Sequence, residues 1–255
     1  MIIRTDSVLR RLPSELDPKR RLFVDGIRYA VEMADMAYSR LCQTLLALVV
    51  ENRGRSDGLG QRIVSSMLDA WSVIDSVQRL RNLLVRTPRL SKRAPPVILF
   101  NQCTEKVEEL RHIAQHLDEK IYQFVQKEIP IWGSLSWFVM EKPGEDKGFI
   151  CSIVAGTLFK SKNHPVVNPL GKAFDCPVDL IELTANECTA SLSETMKCVR
   201  KLISWIERTL QQQIGHLGAA GADLFLVMEV SFNQSVQPAQ ESARIATVCR
   251  HGKEG

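Results

Sequence analysis

No stretch of this chain approaches the ~20 consecutive apolar residues that a membrane-spanning helix needs. The longest apolar patches, such as residues 45–50, are far shorter, so no membrane partner is expected. The first residues, MIIRTDSVLRRLPSELDPKRR, hold no long apolar region either, and no secretory signal is expected. Cysteine pairs with close spacing are missing. The seven cysteines, at 42, 103, 151, 176, 188, 198 and 249, are odd in number and include no C-x-x-C. That pattern argues against a disulfide framework and for a reducing, cytoplasmic setting. His164 stands apart from any ligand cluster, so neither a metal site nor a cofactor is expected. No Gly-Lys-Ser/Thr follows the glycine-rich 51–60, which removes the P-loop reading. G-x-S-x-G, H-E-x-x-H and G-x-G-x-x-G are absent too. Charge of one sign is not in large excess. Thirty-three Lys and Arg against 29 Asp and Glu leave +4, which permits nucleic acid as a partner without demanding it.

What is present is mostly helical periodicity. With 255 residues, 45% of them hydrophobic, the chain is long enough to bury a substantial core. Residues 1–18 read as an N-terminal arm interrupted by Pro13 and Pro18. A first helix is expected over 19–50, with Phe23, Ile27, Val31, Ala34, Leu41 and Leu45 at helical spacing. A second is expected over 59–85, and its Asp75 and Arg79 are spaced as a surface ion pair. Residues 86–96, RTPRLSKRAPP, form a basic connector bounded by proline. They read as a solvated loop or as an arm touching a nucleic-acid backbone. Residues 97–100 lead into a third helix over 102–127.

After Pro130 the pattern becomes strand-like. Residues 132–141 and 149–159 read as a hairpin, and 178–183 as a third strand. Trp132 and Trp137 read as sheet-to-helix packing before they read as a ligand platform. A fourth helix is expected over 186–214. Residues 224–232 are a final strand candidate that would join the sheet, and 233–255 lack an apolar pattern and read as a disordered tail. The fold expected is therefore mainly α: an antiparallel four-helix bundle over 19–130 and 184–216, with a small antiparallel β insertion over 131–183, between helices 3 and 4.

The third helix carries the polar constellation of most interest, Arg111-His112-Ile113-Ala114-Gln115-His116. On an unbroken helix, Leu110, Ala114, Leu117, Ile121, Phe124 and Val125 share one apolar stripe. Arg111 and His116 flank that stripe, with His112 and Gln115 on the polar arc between them. The plain reading is a solvated back face. The chemical reading is a phosphate-handling site, because arginine forks onto phosphate oxygens and histidine exchanges protons near neutral pH. Arg81, on the second helix, reads as a surface residue or as a further phosphate ligand.

Arg, a polar residue, a short gap and then His on a bundle helix resembles the Arg-x4–6-His signature of the HEPN superfamily. Arg111, His112 and His116 stand at its three positions. The resemblance implies a homodimeric helical bundle with facing motifs and metal-independent RNA cleavage. Under it, Arg111, His116 and His112 would be catalytic, with Gln115 and Arg81 at the substrate. A toxin or defence role, with an antitoxin or other protein partner, follows from the same resemblance. The alternative is a non-catalytic bundle that binds a protein or nucleotide partner through the Arg111/His116 face.

Overall fold

The computed structural model describes residues 1–51, 58–140, 147–156, 166–172, 174, 176–214, 223–228 and 246–247. The fold is mainly helical, with six α-helices among the described residues and a small antiparallel sheet of four strands. No described helix is long and apolar enough to cross a membrane.

Helix α1 (Pro18–Glu51) starts where its sequence says it should. Pro18 fills the first helical position, where no amide hydrogen is needed, and Asp17 Oδ1 accepts from the Arg20 amide at 2.9 Å. Helix α2 (Leu59–Arg86) packs along α1, burying Ala70, Val73, Ile74, Val77, Leu80 and Leu84. The two long helices therefore form much as expected.

The expected third helix is instead three helices: α3 (Pro95–Cys103), α4 (Glu105–Gln115) and α5 (Ile121–Lys127). α3 begins on the pair Pro95-Pro96, earlier than residue 102, because proline is preorganised for the first turn. The break between α3 and α4 falls at Thr104, which is fully buried.

The strands β1 (Ser134–Met140), β2 (Gly148–Val154), β3 (Val178–Ala185) and β4 (Cys188–Ser191) pair in the order β2-β1-β3-β4, all antiparallel. β4 replaces what was expected to be the first turn of the last helix. Asn186 and Glu187 adopt φ of 44° and 67° and form the two-residue turn between β3 and β4. Helix α6 (Leu192–Ile214) starts later, at an N-cap: Ser191 Oγ accepts from the Glu194 amide at 3.3 Å. In β3, Leu180 (φ 53°) is the extra residue of a bulge opposite β1. The bulge lets Val178 and Ile181, three residues apart, both face the main core. Leu180 instead packs with Phe138 and Val167 on the other face.

The β segment is thus not a decoration on a separate bundle. Leu135, Trp137, Val139, Ile181 and Leu183 belong to the same core as α1, α2 and α6. Trp137 packs the sheet as expected, while Trp132 stays half exposed. Ser193 ties the layers together. Its Oγ accepts from the Ile181 amide at 3.0 Å and lies 3.0 Å from the Tyr38 hydroxyl.

Four further expectations are corrected. Residues 1–18 are no free arm: Ile3, Leu9 and Leu12 are buried in the main core, and Ser7 hydrogen-bonds Glu207 of α6. The sparse apolar residues there were too few to show periodicity, yet Ile3, Leu9 and Leu12 are all used. Two cysteines are joined, Cys103 at the end of α3 and Cys198 in α6, with Cα atoms 6.8 Å apart. Helix packing brings them together across 95 residues, which no local spacing announces. Cys42, Cys151, Cys176 and Cys188 are unpaired. The late strand does not join the sheet: β5 (Leu226–Val227) pairs with β6 (Ala246–Thr247) in a separate ribbon. Finally, that ribbon places a strand inside the expected tail. The rest of 229–255, with Cys249 and His251, lies outside the described residues, as do residues 141–146, where a turn was expected, and residues 215–222.

Leu9 is 0% exposed although it lies in the first eighteen residues. Leu9→Ala is expected to lower the unfolding free energy by about 2–5 kcal/mol in urea titration. An unchanged midpoint would return this segment to the status of an arm.

Candidate active site

The site is built on α4 and on what ends it at both sides. At its start, Thr104 Oγ1 donates to the Phe100 carbonyl at 2.7 Å, drawing the last turn of α3 closed. Arg81 of α2 then clamps the joint. Its Nη1 donates to the Asn101 carbonyl at 2.9 Å and to Thr104 Oγ1 at 2.6 Å, and its Nη2 donates to Glu108 at 2.7 Å. The Arg81 side chain is only 15% exposed. This arginine is spent on holding α3, α4 and α2 together, and it stands apart from Arg111.

At its end, α4 stops at Gln115, and His116 is the residue that caps it, with φ −120° and ψ 31°. No proline or glycine causes this stop. Asp118 and Glu119 follow the stop and lie just before α5, near its positive end. The break turns the chain and upsets the expected stripe. Leu110, Ile113 and Phe124 are buried, but Ile121 and Val125 are half exposed.

Arg111 Nε lies 2.7 Å from Asp75 Oδ1 of α2. Asp75 Oδ2 also accepts from Arg79 Nε at 2.7 Å, so the expected Asp75–Arg79 pair exists, with a second arginine on the same carboxylate. His112 and His116 have ring centroids 4.6 Å apart, tilted by 51°. His116 Nδ1 lies 3.1 Å from Glu119 Oε1. His112 and Gln115 are exposed, and Arg111 and His116 half-buried. The two imidazoles are therefore brought together, while Arg111 is engaged by Asp75 and Arg81 by the α3–α4 joint.

Two grooves border this edge. On the His112 side, a groove of about 370 Å³ runs between α4 and the β3–β4 turn, lined by Lys106, Glu109, His112, Lys120, Asn186 and Cys188, among others. Cys188 Sγ contacts Glu109 Oε2 at 3.3 Å and the Lys106 carbonyl at 3.7 Å. Burial, and then the neighbouring Glu109, push its thiol up to about 11, so it stays protonated near neutral pH and is no ready nucleophile. On the Asp75 side, an open groove of about 460 Å³ lies between α1 and α2, with Met33, Met36, Leu68 and Trp71 in its lining. Among the described residues, no three His, Cys, Asp or Glu side chains are grouped to hold a metal ion.

Sequence reasoning missed Asp75 as the partner of Arg111, Glu119 as that of His116, and the β4 wall of the groove. The first is a contact between helices and carries no local signal. The second was in reach, since Glu119 follows His116 by three residues. The third was hidden by the misplaced start of α6.

Arg81→Met is expected to cost about 1.5–3 kcal/mol in denaturant unfolding, because it removes hydrogen bonds from a charged donor to a buried joint. An unchanged midpoint would free Arg81 to serve as a ligand instead. Comparison with family models, with curated proteins and with solved structures finds no match in any of the three, so the residues and their geometry alone carry the functional reading.

Proposed function

We propose that the chain is a metal-independent RNA endonuclease of the HEPN kind, working as a homodimer. The observation that carries this reading is the His112–His116 ring pair, 4.6 Å apart, half open to solvent, with Arg111 the residue before His112. This reading assigns α1, α2, the α3–α4 pair and α6 to the four bundle helices. One imidazole removes the proton of a ribose 2′-hydroxyl. The O2′–P bond forms, the P–O5′ bond breaks, and the other imidazole, protonated, delivers its proton to O5′. The products are a 2′,3′-cyclic phosphate and a free 5′-hydroxyl. Arg111 steadies the charge on the phosphate oxygens. Its Nε is held by Asp75, which leaves two terminal amino groups as donors to phosphate. Gln115, exposed one residue before His116, is a neighbour for the substrate. One motif per chain calls for a two-fold axis that sets two motifs face to face.

A labelled RNA incubated with the protein in EDTA is expected to yield ends bearing cyclic phosphate. His116→Ala and His112→Ala should each slow cleavage by about 10²–10⁴-fold. Equal cleavage by wild type and His116→Ala would end the proposal.

One observation favours a second reading, a non-catalytic module that binds a protein or nucleotide partner through the Arg111/His116 face. The apolar groove with Met33, Met36, Leu68 and Trp71 adjoins Asp75 and so lies beside that face. Light scattering separates the two. The nuclease reading expects a dimer whose mass His116→Ala leaves unchanged. Weakened association in His116→Ala, with no cleavage by the parent, would select the second reading.

A further inference from the structure

A third groove lies away from the His pair, between α3 and α6, with a volume of about 610 Å³. Its floor is apolar: Pro95, Pro96 and Leu99 from α3, and the half-buried Trp205 from α6. Its rim is cationic, with Arg200, Lys201 and Arg208 all exposed, and no carboxylate lines it. None of these three cations makes an ion pair with a described residue. Arg208 Nε donates to the Ser204 carbonyl at 3.0 Å, which fixes its direction along the helix. Arg200, Ser204 and Arg208 follow one another at four-residue spacing. They form a polar ladder spanning about 12 Å along one edge of α6, at about 1.5 Å rise per residue.

The groove also opens where the basic connector ends. Arg86, Arg89, Lys92 and Arg93 are exposed and lead directly to Pro95. Arg89 lies near Arg20, whose guanidinium is held below the usual arginine range by burial first and by Arg89 second. Like charges are thus gathered at this end of the molecule, with Asp17 the acid that acts on Arg20 and no carboxylate in the groove lining. A strip of cations beside an indole face suits a strand with regularly spaced phosphates and unstacked bases. A duplex would hide its bases from Trp205.

We propose that the α3–α6 groove binds single-stranded RNA, with Arg200, Lys201 and Arg208 on successive phosphates and Trp205 stacked on a base. This assigns the substrate strand a path away from the cleavage residues, and in that sense it rests on the nuclease reading. It is tested by binding alone. Fluorescence anisotropy of the full chain with a labelled single-stranded 2′-O-methyl RNA removes the attacking hydroxyl, so cleavage plays no part. The double variant Arg200→Gln/Arg208→Gln is expected to bind at least tenfold more weakly. Its slope of log affinity against log salt should be shallower by about 1.4, as about 0.7 per lost single-strand phosphate contact requires. A charge-matched control, Arg4→Gln/Lys127→Gln, should change affinity less than twofold. Because Trp205→Leu risks the fold, the stacking contact is read in the wild type, by ultraviolet crosslinking to peptides of α6.

Unchanged affinity in the double variant, an equal loss in the control, or crosslinks only outside α3 and α6 would each overturn the proposal. So would capture of a poly-glutamate peptide in the groove with no binding of the RNA, which would make it a site for an acidic protein segment. Groove-dependent binding without cleavage of ordinary RNA would keep this site and remove the nuclease. Normal cleavage with unchanged KM in the groove variant would do the reverse.

Discussion

The break at Thr104 and the arginine that closes it are what the candidate site depends on. A straight third helix would keep α3 and α4 on one axis. α3 could then not seat Phe100 in the core beneath α6 while α4 leans on α2 and β4. Thr104 resolves this by returning its hydroxyl to the Phe100 carbonyl, and Arg81 donates to the Asn101 carbonyl and Thr104 hydroxyl of the turn. Burying a helix end without partners would be costly, and one guanidinium reaching two acceptors at the joint and a carboxylate beyond it removes that cost. The direction of α4, and with it the position of Arg111 and His112, follows from that joint.

The second constraint is the shared core. A bundle with an inserted sheet could have two cores and a hinge between them. Here Ser193, at the start of α6, joins α1 through Tyr38 and β3 through the Ile181 amide. Burial raises the Tyr38 hydroxyl above the ordinary tyrosine range, so it stays a neutral hydrogen-bonding group. The Cys103–Cys198 bond adds a covalent tie between α3 and α6 on the groove side. Sheet, N-terminal segment and helices therefore share one packed core, and the β3–β4 turn forms a wall of the groove beside His112.

Much of this was legible in the sequence where the signal is periodic and long. α1 and α2 lie within about one residue of their expected bounds at most ends, because dozens of apolar positions vote together. The strands β1 to β3 were legible from aromatic and β-branched runs. What failed was short or non-local. Asn186-Glu187 carries no glycine, so a tight turn with two positive φ values looked like the start of a helix. The capping signature Ser191-x-x-Glu194 was readable but sat behind that false start. The three-way division of the third helix was not readable, since the α3–α4 joint is held by Arg81 from another helix and no proline or glycine marks the stop at Gln115. The site was legible as a set of residues and not as a shape. Spacing on an ideal helix put Arg111 and His116 on opposite margins, and it also made His112 and His116 i,i+4 neighbours, as their ring pair shows.

Arg111 already has an acidic partner, and this bears directly on whether it can serve a phosphate. Asp75 and Arg111 are about one-third exposed, at 33% and 30%. An ion pair so placed is worth only about 0–1 kcal/mol, so exchanging or sharing the partner is cheap. Asp75 is itself divided between two arginines, which weakens its hold on each. A second subunit that covered this edge would exclude water and strengthen every charge interaction beneath it. The dianionic transition state of phosphodiester cleavage would then draw on Arg111 more strongly than the monoanionic ground state does, and only that difference accelerates the reaction. Asp75 in this arrangement is an orienting group. Its contact is to Nε, which leaves the outer edge of the guanidinium available to the phosphate of the proposed substrate.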